Sequence, residues 1–124
     1  MAGEEIRLGS VSLDCADPHE LAGFYSRMLQ IDVAYDAGSF AAIQLEKIWL
    51  TFQRVSEYRA PTWPDPAVLQ QIHLDFAVSD LVLGESLALA AGATKMQVQP
   101  NPERWLVFMD PAGHPFCLST LIPG

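Results

Sequence analysis

Gln71-Ile72-His73-Leu74-Asp75-Phe76-Ala77-Val78-Ser79-Asp80 alternates. Ile72, Leu74, Phe76 and Val78 share one parity; His73, Asp75 and Ala77 share the other. Period two predicts a strand over 71–78 with one apolar face and one face that carries chemistry. His73 and Asp75 are two residues apart, so they project from the same face. The strand ends where Asp80 can cap a helix, which runs to about Ala91 and stops at Gly92. Gly84 inside that helix marks close packing.

The start of the chain repeats this order. Val11, Leu13 and Cys15 alternate with Ser10, Ser12 and Asp14, a strand over about 8–15 that follows a short tail over 1–7. Asp17-Pro18-His19-Glu20 then opens a helix: an N-cap, a proline suited to the first turn, and an acid three residues after the cap. Leu21, Phe24, Tyr25, Met28 and Leu29 form its apolar stripe. His19 reads as a solvated first-turn residue. Strand-like runs follow at 31–35, 40–45 and 48–55. Residues 56–70 hold Pro61, Pro64 and Pro66 around Trp63, a pattern neither helix nor central strand accepts, so they form a connector. Past the second helix the strands fall at 94–98, 105–109 and 115–121, with turns at 99–102 and 110–113. Asp110-Pro111-Ala112-Gly113 reads as turn chemistry alone, with His114 as a turn residue.

The halves are copies of one pattern. The caps Asp17 and Asp80 lie 63 positions apart, and the same shift matches Ser10 to His73 and Ser12 to Asp75. Phe52-Gln53 matches Phe116-Cys117 at a shift of 64. Each half reads strand-helix-strand-strand-strand, and a sheet with one helix buries only one face, so two such units pair. The expected fold is α+β: tandem βαβββ repeats forming a curved mixed sheet around a cavity, helices outside. Repeat 1 spans about 7–55 and repeat 2 about 71–121, in one domain over 1–124. Ser10, Ser12, Asp14, His73 and Asp75 are expected to line the shared cavity.

Composition narrows the function. The net charge is −8, from 15 acidic and 7 basic residues. That opposes binding to nucleic acid, which needs a basic footprint, and to anionic membranes. No run approaches the roughly 18 apolar residues of a membrane span. Met1-Ala2-Gly3-Glu4-Glu5 has no signal-peptide core, so a cytoplasmic protein is expected. Cys15 and Cys117 are too few for a disulfide framework and read as small buried residues.

The tandem repeat resembles the vicinal oxygen chelate superfamily of glyoxalases, bleomycin-resistance proteins and extradiol dioxygenases. Three motifs are similar to its glyoxalase-like branch: Leu13-Asp14-Cys15-Ala16-Asp17-Pro18, His73-Leu74-Asp75-Phe76, and Asp110-Pro111-Ala112-Gly113-His114-Pro115-Phe116-Cys117-Leu118. The resemblance implies a divalent-metal position on the first and last strands of each half. Those positions fall on Ser10, on Gln53 or Thr51, on His73 and on Cys117. His73 and Gln53 are acceptable ligands there. Ser10 is a poor one, and a Cys117 thiol suits zinc or copper rather than Mg, Mn, Fe or Ni. A degraded metal site is therefore expected, with no resident cofactor and a divalent metal left open.

Three readings follow. The first is a cavity that binds a small, partly aromatic or hydrophobic molecule, with Ser10, Ser12, Asp14, Gln53, Trp63, Trp105 and Cys117 as lining. Trp63 has the alternative of capping the core. The second is a metal-dependent lyase, isomerase or dioxygenase using His73 and Gln53, or acid–base work by His73 with Asp75 orienting it. The third is a dimerising module; superfamily members commonly pair, so a homodimer is expected.

Overall fold

The computed structural model describes residues 4–123. Of the tail read over 1–7, residues 1–3 lie outside the described residues. The elements follow the order β1 (Ser10–Cys15), α1 (Pro18–Leu29), β2 (Tyr35–Asp36), β3 (Phe40–Gln44), β4 (Trp49–Arg54), β5 (Leu74–Ala77), α2 (Leu81–Ala91), β6 (Thr94–Lys95), β7 (Trp105–Met109) and β8 (Pro115–Ser119). They form two four-stranded mixed sheets, β1-β4-β3-β2 and β5-β8-β7-β6. In each, the first and last strands run parallel and the helix makes the crossover.

The helix ends form for local reasons. The Asp17 carboxylate accepts from the Glu20 N–H at 3.2 Å. Asp80 accepts from Val82 and Leu83 at 2.9 and 3.1 Å. These caps satisfy donors that a helix start leaves free. Gly92, at φ 120°, stops α2. Helix α1 stops at Gln30, whose φ of 59° is left-handed.

Several strands are shorter than the pattern suggests. The runs read at 31–35 and 94–98 pair only over Tyr35–Asp36 and Thr94–Lys95, the outermost strands of their sheets. The strand read over 71–78 pairs at Leu74–Ala77, leaving His73 just before it. Alternation reports which face is apolar; a partner decides how many residues bond.

The core lies between helices and sheets. Helix α1 covers β3 and β4, α2 covers β7 and β8, and the helices touch each other. Tyr25 stacks on Phe52 of the first sheet at 5.6 Å between centroids and meets Phe76 and Phe116 of the second at 6.0 and 6.2 Å. One helix thus serves both halves. Gly84 faces Leu118 and Val78, where an added Cβ would come within 3.1 and 3.2 Å, so α2 does approach the sheet closely there.

Asp110 departs from its reading as turn chemistry alone. It is 1% exposed. One carboxylate oxygen accepts from the Ala112 and His114 N–H groups, each at 2.9 Å, and the other from the Tyr25 hydroxyl at 2.7 Å. Burial raises its pKa above the usual carboxylate value, with the Tyr25 bond pulling the other way. The turn of the second half is therefore bonded to the helix of the first. His114 adds a second tie, its Nε2 lying 2.6 Å from the Asp14 carbonyl oxygen.

Candidate functional site

With Leu74 and Phe76 turned to the core, the other parity of β5 faces outward. Parallel pairing sets Asp75 opposite Cys117 on β8, and antiparallel pairing sets Cys117 opposite Val107 on β7. His73 lies two residues before Asp75, on the same side. Its Nε2 is 3.3 Å from Asp75 Oδ1, and the side chains remain 40% and 49% exposed. One ligand-type atom from each of His73, Asp75 and Cys117 falls within 4.8 Å of the others.

The cluster is the floor of a cavity of about 350 Å³. Trp63 from the connector and Trp105 from β7 line it, with Pro100, Val107, Pro115 and Ile122. Gln70 and Ser119 add polar groups. Burial, and secondarily the charge and hydrogen bond of Asp75, push the Cys117 thiol up to about 11. At neutral pH it is the protonated thiol, close to that carboxylate. Gln70 Oε1 is buried without a hydrogen-bond partner among the described residues.

Of the residues expected to share one cavity, the structure unites His73, Asp75, Cys117, Trp63 and Trp105. It does not bring Ser10, Ser12, Asp14 and Gln53 to them. Ser12 and Asp14 line a neighbouring cavity of about 250 Å³ with Tyr58, Arg59 and His114. Ser10 and Gln53 are exposed and line neither cavity. The two groups stand on different sheets, Ser12 and Asp14 on β1 and Asp75 and Cys117 on β5 and β8, and Gln70 stands in the walls of both cavities. Trp63 takes the lining role rather than the core-capping one. Val107 and Ser119 share the outward parity of Trp105 and Cys117, so the period-two signal that would have found them was present. Gln70 sits in the aperiodic connector and gave none.

Pairing also decides between Thr51 and Gln53. Ser12, the repeat counterpart of Asp75, lies opposite Thr51, as Asp75 lies opposite Cys117. Thr51 is thus the structural counterpart of Cys117. It is buried, and its hydroxyl lies 3.5 Å from the Val11 carbonyl oxygen. Gln53 lies two pairs further along, opposite Asp14.

Paired βαβββ units with a polar cluster on the parallel first and last strands define a vicinal oxygen chelate protein. Residues 10–119 match the model of the glyoxalase-like domain, and the chain belongs to that family within the superfamily. No curated protein matches it in sequence. Its fold is similar to a mutant of the genomically encoded fosfomycin resistance protein FosX from Listeria monocytogenes, complexed with Mn(II) and 1S,2S-dihydroxypropylphosphonic acid. The TM-score is 0.72 and the identity 16%, covering 94% of this chain and 91% of that one. A glyoxalase/bleomycin resistance protein/dioxygenase family enzyme from Burkholderia phytofirmans PsJN gives 0.71 and 18%, covering 94% and 100%. A possible glyoxalase from Bacillus cereus gives 0.68 and 12%, covering 93% and 99%.

The residues present do not fit a hard divalent ion of the kind superfamily members use. Such ions want oxygen and imidazole. Here the imidazole stands with one carboxylate and a soft thiol, while Ser10 and Gln53 lie outside its cavity. For zinc, which accepts N, O and S, the cluster would fill three of four positions.

Proposed function

We propose that the chain binds a small organic molecule in the cavity floored by His73, Asp75 and Cys117, and that its superfamily metal site is degraded. One observation carries this reading: Trp63 and Trp105 line the cavity that holds the cluster. An apolar, aromatic lining with a few converging polar groups is the usual make-up of a small-molecule pocket, and the volume lies at the lower end of the roughly 300–1,000 Å³ such pockets span. The donor mixture supports binding over metal catalysis.

A thermal-shift screen of aromatic metabolites and antibiotics, run with chelator, tests this. Hits should raise Tm, come back chemically unchanged, and lose most of their effect in Trp105→Ala. Uptake of one zinc per chain that disappears in Cys117→Ser, or recovery of an altered ligand, would replace this reading with an enzymatic one.

A further inference from the structure

The cavity's polar groups have a sign. None of its lining residues is lysine or arginine. The acidic group is Asp75, about half exposed and therefore open to a ligand. His73 and the Cys117 S–H approach this carboxylate, which offers about four lone-pair sites, so acceptor capacity remains. Gln70 contributes a second acceptor, a buried amide oxygen with no hydrogen-bond partner among the described residues. A buried acceptor left unpaired costs about 1–3 kcal/mol, so a ligand N–H that reaches it is favoured. Indole faces attract cations through their quadrupole. The whole chain carries −8, which concentrates cations and repels anions at long range. Of the arginines, Arg59 lines the neighbouring cavity, beyond Gln70.

A phosphonate or carboxylate entering this cavity would meet Asp75 with His73 beside it and no lysine or arginine in the lining to offset the charge. A flat amine or amidine would meet aromatic rings, a carboxylate and an unpaired amide oxygen. We infer that the pocket selects organic cations: molecules with a planar apolar body and a positively charged N–H group. The Asp75 carboxylate and Gln70 Oε1 receive the N–H groups, and Trp63 and Trp105 hold the body. This rests on the small-molecule reading above and adds the ligand's charge class.

Benzamidine, benzamide and benzoate share one ring and differ in charge. Each is titrated into the ¹⁵N-labelled protein at neutral pH while the three tryptophan indole N–H signals are followed. Trp49 lies on the other sheet and serves as an internal control. Benzamidine should move the Trp63 and Trp105 signals, leave Trp49 in place, and bind at least about tenfold tighter than benzoate, the factor that 1.4 kcal/mol of charge interaction gives. In Asp75→Asn the gap between benzamidine and benzoate should close, with the Trp49 signal reporting an intact fold. In Gln70→Leu, benzamidine should weaken more than benzoate. Equal affinities, or preference for benzoate, with Trp63 and Trp105 still moving, would overturn the cation selectivity and leave the pocket standing. If none of the three moved those signals at millimolar concentration, the pocket reading would fail with it.

Discussion

Asp75 and Cys117 face each other across a parallel strand pair, and each explains the other's chemistry. Burial is the first cause that keeps the Cys117 thiol near 11, and the Asp75 charge is the second. Asp75→Asn should therefore lower the Cys117 pKa without restoring a free-thiol value. The pH–rate profile of iodoacetamide labelling checks this. At pH 8 the variant should react several-fold faster, since each pKa unit is a tenfold change in thiolate fraction. Superimposable profiles would leave burial as the sole cause. Cys15 is 1% exposed and also held near 11, so Cys117 is the thiol such labelling reads in the native protein. Because the folded Cys117 pKa is raised, the stability linked to its thiol is intact below about pH 9 and is lost as pH rises toward 11. At this scale His73 and Asp75 were legible, since alternation alone sets them on one face. Cys117 was legible through the closing motif. Asp110 was not: a turn aspartate and a buried carboxylate are spelled alike, and its partner Tyr25 lies 85 residues away.

The helices were the most legible elements. Asp17 and Asp80 are caps by side-chain chemistry, and both helices begin one residue after them. The strands were legible in kind and less so in extent, because β2 and β6 are edge strands with one partner each and pair with only two of that partner's residues. The turn before β8 shows what its sequence requires. Gly113 has φ +90°, and a Cβ there would stand 2.6 Å from Ala60 Cβ in the connector. Gly113→Ala combines about 1–2 kcal/mol of left-handed strain with a clash against the connector. A total loss of about 3 kcal/mol or more is expected in urea unfolding. Gly84→Ala is the contrast. It gains about 1 kcal/mol of helix propensity against contacts of 3.1 and 3.2 Å to side-chain atoms, so its net effect should be small. A Gly113→Ala protein as stable as the parent would show that the connector yields freely.

At the scale of the molecule, the duplicated pattern gave the pairing of two units but not how they meet. One place where they meet is Tyr25. Its ring lies among Phe52, Phe76 and Phe116, and its hydroxyl donates to the buried Asp110 carboxylate. Nothing in the apolar stripe of α1 marks this tyrosine as more than a core residue. Tyr25→Phe keeps the ring and removes the donor, which should cost about 1–3 kcal/mol. Burial already raises the Asp110 pKa, and the Tyr25 bond opposes that rise. Losing the bond raises it further. A group with a raised folded pKa loses its contribution as pH climbs through that value. The penalty of Tyr25→Phe should therefore be larger at pH 7.5 than at pH 4, as paired denaturation curves would show. A penalty independent of pH would mean the hydroxyl bond does not act through the Asp110 charge.

The place of α1 between the sheets has a consequence for synthesis. A chain leaves the ribosome from its first residue, and domains fold as their parts emerge. The strands β1, β3 and β4 and helix α1 are all made by Arg54, yet Phe24 and Tyr25 cannot be covered until Phe76 and then Phe116 arrive. For the second half of translation the nascent protein carries an aromatic surface with no lid. Stalling within that stretch would present chaperones with a sticky, half-closed sheet, and release comes only when the last strand, which also carries Cys117, is in place.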